Sequence, residues 1–95
     1  MNDAKIILSV EELALLSEVA GYSSDRGISH LSNLRRTLEA AVPGEPFHLT
    51  AEQIKAADEA FLAVDELGIL PRNLPSSEQR IYHRVKAMIA AAAVD

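Results

Sequence analysis

Two six-residue stretches of the chain, Leu8-Ser9-Val10-Glu11-Glu12-Leu13 and Leu49-Thr50-Ala51-Glu52-Gln53-Ile54, match position by position at an offset of 41. Each places a hydroxyl residue three positions before Glu12 or Gln53. In that spacing the hydroxyl and the longer side chain satisfy each other's backbone N–H groups, which the first turn of a helix leaves unpaired. Both stretches therefore predict capping boxes, with helices starting at Ser9 and Thr50. Leu8 with Leu13, and Leu49 with Ile54, supply the hydrophobic staple that fixes the direction of entry. Glu11, Glu12 and Glu52 suit the positive end of each helix dipole. Short apolar stretches, Lys5 to Leu8 and Phe47 to Leu49, precede the two starts, and they can pair as a minimal ribbon if helices pack on it. Duplication of a helical hairpin and convergent use of good capping both account for the match.

The remaining punctuation divides the chain into four helical segments. The first spans 9–20 and is expected to stop at Gly21, before the polar linker Tyr22 to Gly27. In the second, 28–42, Ile28, Leu31, Leu34, Leu38, Ala41 and Val42 recur at helical spacing until Pro43-Gly44-Glu45-Pro46. The third, 50–67, ends at Gly68, a residue suited to the left-handed position after a helix. A two-proline connector, Ile69 to Pro75, leads to the fourth, 76–93, which carries Ile81, Val85, Met88, Ile89 and Ala92 on one face. The expected fold is all-α: a single four-helix domain over 1–95, two helical hairpins with the small ribbon before the first and third helices.

Composition narrows the function. A chain of 95 residues can bury roughly 60–65% of its unfolded surface, enough for one modest core. The absence of cysteine excludes disulfides, a thiolate nucleophile and thiolate metal sites. Nothing resembling a cationic leader or a long apolar run stands near Met1, so the expected setting is cytoplasmic, with no membrane association. The net charge of -5 argues against nonspecific attachment to a phosphate backbone. His30, His48 and His83 fall in separate segments without a partner at i,i+3 or i,i+4 spacing, and the scattered glycines form no phosphate-cradling loop. No catalytic constellation, metal site or cofactor is expected, and the chain is read as a non-enzyme.

Charge is divided unevenly: the four segments carry -3, +1, -4 and +2 in order. Acidic and basic helices packed side by side would account for this, each exposed pair adding at most ~1 kcal/mol. In the third segment Ile54, Ala57, Phe61 and Val64 share one arc, whereas Leu62 falls among Asp58, Glu59, Asp65 and Glu66, with Glu52 in the same row as Glu59 and Glu66. A leucine ringed by carboxylates suits a groove on a basic protein, the charges steering approach and the side chain filling a pocket. The leading expectation is thus a small acidic protein-binding module, in its specific form an inhibitor or antagonist occupying the basic, nucleic-acid-binding surface of a target through this helix. The first segment is apolar nearly all round, with Val10, Leu13, Leu16 and Ala20 on one stripe and Leu15 and Val19 outside it. Either it is central or it meets a second copy in a homodimer.

Residues Leu13 to Ser23 followed by Ile28-Ser29-His30-Leu31 resemble a helix-turn-helix: a helix, a glycine turn, a small hydroxyl residue and a second amphipathic helix. The resemblance implies a DNA-binding regulator whose second helix reads the groove with Ser29, His30, Asn33, Arg35, Arg36 and Thr37. It is held as the alternative, because the Ser23 to Ile28 interval is one residue longer than the usual spacing, Gly27 interrupts the helix, and Glu11, Glu12 and Glu18 would approach phosphates.

Overall fold

Both capping boxes form. In the computed structural model, which describes residues 3–94, the Ser9 N–H donates to Glu12 Oε1 at 2.9 Å and the Glu12 N–H donates to Ser9 Oγ at 3.2 Å. Thr50 and Gln53 repeat the exchange at 2.8 and 3.2 Å. They open helices α1 (Val10–Tyr22) and α3 (Ala51–Leu67). The strands before them, β1 (Ala4–Ile6) and β2 (Phe47–Leu49), pair antiparallel with Ala4 opposite Leu49, Lys5 opposite His48 and Ile6 opposite Phe47. Ile6 and Phe47 are also equivalent positions at the offset of 41. A two-fold rotation through that pair exchanges residue i with residue i+41, so the ladder register and the sequence repeat share one local axis. Residues Met1, Asn2 and Asp95, and with them the reading of a leader from Met1, lie outside the described residues.

Two helix boundaries differ from the sequence expectation for identifiable reasons. Helix α1 runs through Gly21 to Tyr22, and the chain turns at Ser23, whose buried Oγ donates to the Val19 carbonyl at 2.8 Å while its N–H reaches the same oxygen. A serine satisfying the last turn, rather than the glycine, ends the helix. After a short 3-10 turn over Ser24–Arg26, Gly27 and His30 both take left-handed backbone, with φ of 69° and 64°. Two such residues break helical continuity. Helix α2 therefore starts at Leu31 instead of residue 28, and it ends at Ala40 instead of 42. Val42 stands directly before Pro43, where the proline ring disfavours helical backbone. Gly68 does close α3 in the left-handed conformation, φ 70°. Helix α4 spans Ser76–Ala93.

The buried side chains make one contiguous cluster. Helix α1 packs against α2, α3 and α4, and α3 packs in turn against α2 and α4. Helix α1 buries Leu13, Leu15, Leu16, Val19 and Ala20 on the side that meets its three helical neighbours, so Leu15 and Val19 are core residues, while Glu11, Ala14, Ser17 and Glu18 stay exposed on the other side. Val10 is a correction to the expected stripe, since it is 64% exposed. On α4 the inner face is Tyr82, Val85 and Ile89, with Ile81, Met88 and Ala92 half-buried at its margins. Tyr82 meets Phe61 edge to face, ring centroids 5.3 Å apart. Leu70 pins the connector to the core. No helix among the described residues is long and apolar enough to cross a membrane.

Candidate protein-docking face on helix α3

Helix α3 buries Gln53, Ile54, Ala56, Ala57, Ala60, Phe61, Ala63 and Val64. The opposite arc faces outward, with Glu52, Lys55, Leu62, Asp65 and Glu66 exposed and Asp58 and Glu59 half-buried, and at 100° per residue its acids resolve into two rows on either side of Lys55 and Leu62. Glu52, Glu59 and Glu66 form one and Asp58 and Asp65 the other. Leu62 lies between the rows and is 53% exposed, as its position on the helix wheel requires.

Each row borders a different neighbour. The glutamate row faces the turn before α2, where Arg26 Nη2 lies 3.4 Å from Glu66 Oε2. Arg26, Gly27, Ile28 and Ser29 on one side and Glu59, Leu62, Ala63 and Glu66 on the other enclose an open depression of about 400 Å³. A second hollow continues it along the same row, lined by Ser29, His30, Glu52, Lys55 and Glu59. The aspartate row faces α4, where Lys86 Nζ lies 3.2 Å from Asp65 Oδ2. Arg84 and Glu12, at 3.7 Å, join α4 to α1. Acidic and basic helices thus do pair in part, through surface contacts each worth at most ~1 kcal/mol. Asp65 and Glu66 have cationic neighbours within the chain, while Glu52, Asp58 and Glu59 enter no ion pair among the described residues.

The residues of the DNA-binding alternative are not brought onto one helix. Ser29 and His30 precede α2, His30 as its left-handed N-cap, and both border the α3 hollow instead. Thr37 is turned toward α3, where its Oγ1 accepts a hydrogen bond of 2.8 Å from Gln53 Nε2; that amide also reaches the Asn33 carbonyl. Arg35 and Arg36 remain exposed on α2, around a depression shared with Ser32 and Glu39. Sequence reasoning missed Arg26 and Ile28 as parts of the α3 site. The only available signal was Gly27, which permits the turn that carries them across.

Among the described residues, Tyr82 has the one clearly displaced titration. Burial, and secondarily the Asp65 carboxylate, push its phenol up to about 12. Its hydroxyl has no hydrogen-bond partner. Among the described residues no group of three or more His, Asp or Glu side chains is placed to hold a metal ion. Comparison of the chain with protein-family models, curated proteins and solved structures returns no match.

Proposed function

We propose that this chain is a noncatalytic protein-binding module that occupies a basic surface of another macromolecule through the outer face of α3. The observation that carries the reading is Leu62, exposed between two rows of carboxylates and beside the open depression that Ile28 shares. An apolar side chain in that setting supplies a central anchor, and the unpaired Glu52, Asp58 and Glu59 supply steering and exclusion of acidic partners. In its specific form the module is an antagonist whose carboxylates stand where a target would otherwise hold phosphates. Two helical hairpins, α1 with α2 and α3 with α4, would present that face on a rigid support. The test is affinity capture from the cells of origin with the wild type and with a Leu62→Ala, Glu59→Lys double variant. A basic partner retained by the wild type, released by salt and lost with the variant is expected; equal capture by both proteins rejects the proposal.

A second reading, DNA binding through α2, draws on the exposed pair Arg35 and Arg36. It requires affinity for duplex DNA that falls steeply with salt and disappears in Arg35→Ala, Arg36→Ala. The antagonist reading requires no binding to free DNA at any of these salt concentrations.

A further inference from the structure

The molecule has a second acidic hollow that shares no residue with the α3 face. Val10, Glu11, Ala14, Leu15 and Glu18 of α1, with Glu78 and Ile81 of α4, line a groove of about 220 Å³. Its floor is apolar: Leu15 is buried, Ile81 half-buried, and Ala14 and Val10 open to solvent. Its charged residues are Glu11, Glu18 and Glu78, all exposed, and none of them enters an ion pair among the described residues. The groove is thus more one-sided in charge than the α3 depression, where Arg26 neutralises Glu66.

We propose that this groove docks a basic amphipathic helix of a partner protein. Its volume lies below the roughly 300–1,000 Å³ of small-molecule sites, so it suits a few side chains presented by a larger body. A cleft between two packed helices receives a third helix through apolar residues at i, i+3, i+4 and i+7, which would fill the space between Val10, Ala14 and Ile81. Three unpaired carboxylates then select a helix with lysine or arginine flanking the apolar stripe. A second copy of this chain is a poor occupant, because symmetric pairing on the groove would bring two sets of Glu11, Glu18 and Glu78 together with no cation between them.

The full chain can be tested by fluorescence anisotropy with a labelled synthetic helix-forming peptide of leucine and lysine, leucines at i, i+3, i+4 and i+7, and with its glutamate-for-lysine counterpart. The lysine peptide should bind and the glutamate peptide should not. Ala14→Arg, which fills the open floor without touching the core, and Glu18→Lys should each weaken binding about tenfold or more, while Glu45→Lys, exposed on the loop before β2 and outside both acidic faces, should leave it within about twofold. Circular dichroism at the same concentrations verifies that each variant is folded. Undiminished binding by Ala14→Arg, equal weakening by Glu45→Lys, or binding of the glutamate peptide overturns the proposal. So does a concentration-dependent dimer in sedimentation that Ala14→Arg abolishes, which would give the groove to a second copy. The α3 reading stands or falls separately, on capture with its own Leu62→Ala, Glu59→Lys variant, which alters no residue of this groove.

Discussion

Helices α1 and α3 are entered through the same device and present different outer faces. Each follows a short strand of one ribbon and opens with a capping box, at positions related by the axis through Ile6 and Phe47. Each packs against three other helices, but the outer arcs differ: α1 leaves Val10, Glu11, Ala14, Ser17 and Glu18 in solvent, whereas α3 carries five carboxylates around the exposed Leu62. The difference originates after the shared start. Past Leu13, α1 puts Ala14, Ser17 and Glu18 on its outer arc, while α3 puts Lys55, Asp58, Glu59, Asp65 and Glu66 there. Capping determines where a helix begins, and the residues beyond it determine which sides it can bury.

This contrast sets the scale of the expected effects. Leu16→Ala removes a fully buried side chain from the centre of α1 and should cost about 2–5 kcal/mol in urea denaturation. The same truncation at Leu62 on α3 should change stability by less than about 0.5 kcal/mol. Comparable losses at the two positions would erase the distinction between the leucine that packs the core and the leucine left in solvent.

The partners of these helices differ as well: α2 contributes only Leu31, Leu34 and Leu38 to the core, and α4 contributes a phenol. A tyrosine whose folded-state pKa is raised from 10.0 to about 12 holds its proton more tightly when folded, so its contribution is complete below pH 10 and is lost as pH rises toward 12. Alkaline denaturation should show a loss on the order of 2–3 kcal/mol across that window, absent in Tyr82→Phe. At neutral pH Tyr82→Phe should be neutral or up to about 1 kcal/mol more stable, because it removes an unsatisfied buried hydroxyl.

The matched entries should respond alike. Ser9→Ala and Thr50→Ala each remove a side-chain acceptor from the first turn, and each should cost about 1 kcal/mol. The helix exits should not. Gly68→Ala meets a left-handed backbone and should destabilise by about 1 kcal/mol. Gly21→Ala lies within α1 with open space around its Cα and should stabilise by about 0.5–1 kcal/mol. Thermal melts of the two variants should move in opposite directions.

What the sequence made legible was local. Both capping boxes, the stop at Gly68, the ribbon, and the exposure of Leu62 follow from spacing within a few residues, where backbone geometry leaves little choice. The end of α1 was misplaced because Gly21 permits a left-handed turn without requiring one, and Ser23 supplied the closing hydrogen bond. The start of α2 was misplaced because Ile28 continues the helical spacing although Gly27 and His30 break the helix around it. Apart from the ribbon, contacts across long separations gave no sequence signal: Arg26 reaching Glu66, Gln53 bonding Thr37, and Glu78 and Ile81 joining α1 to form a groove. The α3 rows could be read from the helix wheel, but the wall of Arg26, Gly27 and Ile28 beside them could not. For the same reason two of the acids, Asp65 and Glu66, turn out to have internal partners, and the charge left for an outside partner rests more on Glu52, Asp58 and Glu59.

The central claim is that α3 presents Leu62 for recognition and does not need it for folding. Leu62→Ala, assayed in parallel for urea midpoint and for retention of the salt-releasable partner captured by the wild type, tests it directly. An unchanged midpoint with loss of the partner is the predicted result; an unchanged midpoint with the partner fully retained would contradict it.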